Sequence, residues 1–228
     1  MNTSPEQLVL DLPHQHAFGE DDFLVSPSNA AAVALIDRWP DWESTTTIIC
    51  GPPGSGKSHL ASVFLGRTGG RSISAGDLCD DDEISFSDFN SLVVEDIHFG
   101  VGSEKALFHL INYSRENKRS LLLTSRVFPG ELSIDLPDLR SRLRALPMTA
   151  IEPPDEPLLH ALLVKMFSDR QLVIKPATVK YILSNMERSA EAAVRLVAEL
   201  DHAALKKQRK VTKLLAREVI YKLFPANS

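Results

Sequence analysis

Cysteine is nearly absent. Cys50 and Cys79 are the only two in 228 residues, too few for a disulfide framework and without metal-ligand spacing. Cys50 closes a short apolar run and reads as a core residue at the end of a strand. Long apolar stretches are missing as well. None approaches the ~18 residues of a membrane span, and the N-terminus has no basic segment leading into an apolar one. Internal repeats and low-complexity tracts are lacking. So is an excess of positive charge: 30 acidic against 25 basic residues leave a net charge of −5, which weighs against a stand-alone DNA-binding domain. The apolar share of 43% and charged share of 24% are ordinary. They predict a soluble, cytoplasmic globular protein with one good core and a smaller second domain.

What is present is a phosphate loop. Gly51-Pro52-Pro53-Gly54-Ser55-Gly56-Lys57-Ser58 fills every position of the pattern GxxxxGK[ST]. Thr46–Cys50 before it is β-rich, and His59–Leu65 after it carries apolar residues at helical spacing. Strand, glycine-rich turn and helix N-terminus are the context the pattern requires. The glycines let backbone N–H groups converge on phosphate oxygens. Lys57 is placed to reach the β- and γ-phosphates and Ser58 to ligate Mg²⁺, with the helix dipole adding positive potential.

The rest of the first half alternates short strands and helices. A helix is expected from about Asn29 to Trp39, capped by Ser28, with Val33, Leu35 and Ile36 as its apolar stripe and Pro40 as its stop. The helix after the phosphate loop should end near Gly66, with Arg71–Ser74 as a second strand. Asp77, Asp80, Asp81, Asp82 and Glu83 form an acidic stretch without ligand spacing, better read as a solvated loop than as a metal site. Ser91–Asp96 is a β-branched run ending in two carboxylates. In phosphate-loop ATPases one such carboxylate, here Glu95, holds the magnesium shell, and the next, Asp96, orients the attacking water. A helix over Ser103–Lys118, with Leu107, Leu110, Ile111 and Ser114 on one face, precedes a buried strand at Ser120–Thr124. Pro137 opens a short helix bearing Arg140, Arg142 and Arg144, and Met148–Ile151 suits a last strand. This alternation indicates a parallel α/β sheet. Beyond Pro153-Pro154 the pattern is helical throughout: Pro157–Gln171, Pro176–Met186, Ser189–Lys206 and Thr212–Phe224. Lys206-Lys207-Gln208-Arg209-Lys210 is a basic turn before the last helix.

The N-terminal twenty residues do not look like a domain. Gln7-Leu8-Val9-Leu10-Asp11-Leu12 alternates apolar and polar, which suits a first strand, a loose tail, or an extended peptide that docks in an apolar groove of a partner.

Four segments in order, Gly56-Lys57-Ser58-His59-Leu60, Leu122-Leu123-Thr124-Ser125, Leu139-Arg140-Ser141-Arg142-Leu143 and Ile151-Glu152-Pro153-Pro154, resemble the ATPase module of the bacterial replication initiator DnaA over about residues 20–224. The resemblance implies an AAA+ fold: a five-stranded parallel sheet domain, then a small all-α lid, with ADP or ATP and Mg²⁺ at their junction. Gly51, Pro52, Gly54, Ser55, Gly56, Lys57, Ser58 and His59 would form the nucleotide cradle. The initiator's helix-turn-helix domain is not expected here. Only 17 residues separate Ser74 from Leu92, where the initiator inserts helices. In both respects the chain resembles the Hda family, regulatory homologues of DnaA that begin with a peptide binding the DNA polymerase sliding clamp. By that resemblance Gln7 would enter a polar subsite and Leu10 and Leu12 an apolar pocket, with Leu8 beside them. The implied organisation is a flexible clamp-binding peptide at 1–20, the nucleotide-binding α/β domain at 21–152 and the helical lid at 153–228.

The family resemblance also gives Arg142 the role of an arginine projecting into a neighbouring subunit's nucleotide site. Three departures bear on the chain's own catalysis. Glu95 stands where the family has the magnesium-holding aspartate. Arg126 follows Thr124-Ser125 where the initiator has an acid. The expected lid arginine aligns with Glu191, leaving Arg188 or Arg195 on a similar face to serve instead. The implied function is negative regulation of replication initiation: a protein tethered to the sliding clamp, in contact with DNA only through it, stimulates ATP hydrolysis by DnaA through Arg142. Weak hydrolysis of its own and a homo-oligomeric state are further expectations. The alternatives are a DnaA-like ATPase that loads or remodels on nucleic acid, and a clamp-bound adaptor whose nucleotide is purely structural.

Overall fold

Three apolar runs, rich in Ile, Leu and Val, are buried on both faces, as the strands of a parallel sheet must be. In the computed structural model, which describes residues 24–80, 89–207 and 210–224, they are β1 (Thr46–Cys50), β3 (Ser91–Glu95) and β4 (Ser120–Ser125). The shorter β2 (Arg71–Ser74) and β5 (Met148–Ala150) form the edges. The order is β2-β3-β4-β1-β5 and every neighbouring pair is parallel. This is the five-stranded parallel sheet that the sequence predicts.

Side chains alternate across the sheet with the two-residue period of a strand. Ile48, Leu92, Val94, Leu121 and Leu123 pack against Leu107, Leu110, Ile111, Leu139 and Leu143. These come from α3 (Glu104–Glu116) and α4 (Pro137–Ala145). Ile49, Val93 and Leu122 face the other way, onto Ala32, Leu35, Ile36, Leu60 and Phe64, which belong to α1 (Ala30–Asp37) and α2 (Lys57–Thr68). Burying each of these large side chains contributes about 1.5–3 kcal/mol, so both layers are held to the sheet by packing. Cys50 is buried at the end of β1 as expected, and burial pushes its thiol up to about 11.

Two local expectations need correction. α1 is not capped by Ser28, whose hydroxyl shares a hydrogen bond with Ser26 instead. Asn29 is the boundary residue, and its buried amide donates to Leu24 O and accepts from Ser26 N–H, fixing the chain before the helix. α2 passes Gly66 and stops at Gly69, whose φ of +64° is the left-handed conformation that ends helices.

Beyond Pro153-Pro154, four helices enclose a separate apolar cluster: α5 (Glu156–Asp169), α6 (Pro176–Asn185), α7 (Ala190–Lys207) and α8 (Lys213–Leu223). Leu159, Leu163, Phe167, Ile182, Leu196, Val197, Leu200, Ala216 and Val219 are among its buried residues. Side-chain caps start three of these helices: Asp155 for α5, Ser189 for α7 and Thr212 for α8. No described helix is long and apolar enough to cross a membrane. Gln7, Leu8, Leu10 and Leu12 of the N-terminal peptide lie outside the described residues, as do Asp81, Asp82 and Glu83.

Candidate functional site

The C-terminal ends of β1, β3 and β4 stand side by side, which is where parallel sheets place their ligands. β1 ends at Cys50, paired with Ser125 of β4 and Ala150 of β5. Gly51 then donates its N–H to Ser125 O at 3.1 Å. A Cβ on Gly51 would lie 2.7 Å from Ile151 O, so a side chain there would force the loop off the sheet. Gly54 and Gly56 have φ of +66° and +99°, open to glycine at little cost. Gly56 directly precedes α2, and no described side chain caps that helix, which leaves its first-turn N–H groups to an anion.

Lys57 is only 7% exposed, and its ammonium donates to Gly51 O and Pro52 O at 2.7 and 2.8 Å. Burial pulls its pKa below the usual lysine value, Arg126 depresses it further, and Asp96 opposes them. Ser55 Oγ is buried without a hydrogen-bond partner among the described residues. Ser58 is exposed on the first turn of α2, beside the half-buried His59. Uncapped N–H groups, an orphaned hydroxyl and a buried ammonium make a cradle that fits phosphate. The donors for a magnesium ion would be Ser58 and Glu95. No three His, Cys, Asp or Glu form a ready-made metal site among the described residues. A magnesium ion bound together with phosphates keeps several waters and needs no such cage.

Glu95 ends β3, half-buried, and Asp96 follows in the left-handed region at φ 62° and ψ 40°. Aspartate tolerates that conformation better than most residues. The Asp96 N–H donates to Thr124 Oγ1 at 3.0 Å, so buried Thr124 on β4 holds the carboxylate turn in place. Of the two acids, it is Asp96 whose charge acts on Lys57.

Sequence reasoning gave no role to the residues that follow. The His98 side chain is 7% exposed, its Nδ1 lies 3.8 Å from Asp96 Oδ1, and neither ring nitrogen has a hydrogen-bond partner among the described residues. Its ring centroid is 4.0 Å from that of Phe99, itself 69% exposed, and the Arg126 guanidinium lies over Phe99 at 4.6 Å. The signal for Arg126 was in the sequence as a cation where an acid is expected. Nothing local marked His98.

The lid reaches the loop through its backbone. Ala190 N–H donates to Gly54 O at 3.3 Å, and a Cβ on Gly54 would sit 2.8 Å from Glu191 N. The first turn of α7 therefore rests on the phosphate loop, and the lid residue beside the loop is Glu191. Arg188 is ion-paired with Glu156 at 3.5 Å. Arg195 is exposed one turn further along α7, with no hydrogen bond or ion pair to a described residue.

On α4 the three arginines differ. Arg140 donates to Ile134 O and Arg144 to Gly130 O. Arg142 makes no hydrogen bond or ion pair with any described residue. It lines an open depression of about 340 Å³ with Phe108, Asp138, Ser141 and Ala145. No such contact joins it to the phosphate loop of its own chain.

Residues 155–220 match the family model described as the lid domain of Hda. The chain is 25% identical over 231 residues to the chromosomal replication initiator protein DnaA of Cutibacterium acnes, spanning 90% of this chain and 46% of that protein. The chain thus spans about half the length of this curated relative. Among solved structures, domain III of the Thermotoga maritima replication initiation protein DnaA superposes with a TM-score of 0.80 at 19% identity, covering 94% of this chain and all of that one. AMPPCP-bound DnaA from Aquifex aeolicus gives 0.66 at 19% identity, over 81% and 64%. The fold is that of the AAA+ module of DnaA.

Proposed function

From the premise that this chain is a DnaA-related AAA+ protein with an Hda-type lid, we propose that it is a nucleotide-bound regulator of replication initiation that stimulates ATP hydrolysis by DnaA in trans. ADP or ATP would lie against the loop from Gly51 to His59, with Mg²⁺ held at Ser58 and Glu95 and with Asp96 next to them. Bound phosphates would supply the acceptors that the Lys57 ammonium now finds in the loop's own carbonyls. The peptide at 1–20, through Gln7, Leu8, Leu10 and Leu12, would hold the protein on the sliding clamp. The α/β domain at 21–152 presents Arg142, and the lid at 153–228 closes over the nucleotide.

The observation that carries this reading is the contrast on α4. Arg140 and Arg144 are tied to backbone carbonyls, whereas Arg142 is bonded to no described residue and lines an open depression. An unpartnered guanidinium, brought to a neighbour's γ-phosphoryl group, neutralises charge that develops in transfer, an effect of about 10³ to 10⁵ in rate. Tethering to the clamp raises the local concentration, so the direct contact with DnaA need not be strong. The test is ATP hydrolysis by DnaA in the presence of clamp-loaded DNA. The parent is expected to stimulate it. Arg142→Ala is expected to lose that stimulation by about 10³ while still binding the clamp. Stimulation undiminished in the variant would remove Arg142 from the mechanism.

A further inference from the structure

We propose that Arg126 is a second polyphosphate-binding cation of the loop site, supplied by the sheet where the lid meets the loop with an acid. The proposal rests on the nucleotide reading above and assigns a ligand contact to a residue outside the phosphate-loop pattern.

The placement is set by the backbone. Arg126 directly follows Ser125, whose carbonyl accepts the N–H of Gly51, the first residue of the loop. Two residues back, Thr124 holds the Asp96 N–H. Arg126 therefore leaves the central strand between the phosphate loop on one side and the carboxylate turn on the other, at the ligand end of the sheet.

Its side chain is positioned but unspent. The guanidinium stacks over Phe99, which in turn packs on His98. Such stacking orients a guanidinium without using its N–H donors. Arg126 is exposed and makes no hydrogen bond or ion pair with any described residue, although Asp96 is on the adjacent turn. It is also close enough to Lys57 for the two charges to oppose each other, which lowers the lysine's pKa. Like charges brought together beside a phosphate cradle are costly until an anion arrives. A planar fork of free donors suits phosphate oxygens.

Where the lid touches the loop it presents an acid, and its exposed Arg195 lies one turn further along α7. Glu191 is the residue against Gly54, and Arg188 is engaged with Glu156. Charge on the nucleotide would then be neutralised largely from the α/β domain, by Lys57 and Arg126 together. If so, the sequence carries an exchange of charge: a cation on β4 where an acid is expected, and an acid on α7 where a cation is expected.

The experiment is titration of the full-length protein with Mg-ADP and with Mg-ATP by calorimetry, for the parent, Arg126→Gln, Arg126→Lys and Lys57→Ala. Thermal melts of each protein without nucleotide serve to confirm folding. Loss of one charge-assisted contact predicts affinity weaker by about ten- to a hundred-fold for Arg126→Gln. Arg126→Lys should fall between parent and Arg126→Gln, because it keeps the charge and loses the fork. A loss below about threefold with both nucleotides, in a folded Arg126→Gln protein whose parent binds, would overturn the proposal and leave the nucleotide reading standing. A parent that binds no better than Lys57→Ala would overturn both.

Discussion

His98 shows what burial does to a single side chain at this site. Burial holds its imidazole below the usual histidine pKa, with Asp96 opposing and Arg126 and Lys57 reinforcing the shift. The folded state therefore favours the neutral ring, while the unfolded chain takes up a proton near pH 6.5. Because the unfolded state binds more protons as pH falls through that value, stability is lost toward acid and is whole above it. Urea unfolding at several pH values between 7.5 and 5.5 should show a steeper decline in the parent than in His98→Gln. Equal slopes would mean that His98 is not the titrating group. Lys57 carries a related cost, since a buried ammonium is tolerated only for its partners. Lys57→Met is expected to abolish nucleotide binding while leaving the melting temperature of the nucleotide-free protein unchanged or raised.

The elements are held in place by contacts that cross between them, and α4 is the clearest case. Its N-terminal backbone is gripped from α3, where the Glu104 carboxylate accepts the N–H groups of Asp135 at 2.9 Å and Leu136 at 2.6 Å. Pro137 then opens the helix with no N–H to spare. Glu104→Ala leaves those donors without their charged acceptor. It is expected to cost about 1–3 kcal/mol, read as a lower urea midpoint, with Glu104→Gln losing less. The elements themselves were legible in the sequence because burial imposes a period. Leu107, Leu110, Ile111 and Ser114, chosen by helical spacing, are all buried on α3, and the strands were visible as short apolar runs. Boundaries were less legible. Ser28 looked like a cap by type, but Asn29 is the residue that reaches back to Ser26 and Leu24. Gly66 looked like a stop, yet a helix with nothing crowding its glycine continues to the left-handed Gly69.

For the whole molecule, a ligand that binds only the folded state stabilises it by mass action. At a hundred times its dissociation constant, Mg-ADP should add about 2.7 kcal/mol of stability, seen as a raised melting temperature in the parent and no change in Lys57→Ala. The cradle for that ligand was readable because its residues are contiguous and constrained by chemistry. The stacking of Arg126 on Phe99 and the meeting of Gly54 with α7 were not, because they join residues far apart in the chain and have no spacing rule. That last contact constrains how the protein can be rebuilt. Gly54 has no room for a Cβ beside Glu191, and Ala190 is bonded to its carbonyl. A chimera that grafts the helical half of one relative onto the sheet half of another must match these two surfaces, even when every nucleotide-contacting residue is retained. A side chain at position 54 should therefore be rejected whatever residue stands at 191, because the backbone nitrogen of that residue is in the way and the φ of Gly54 is positive.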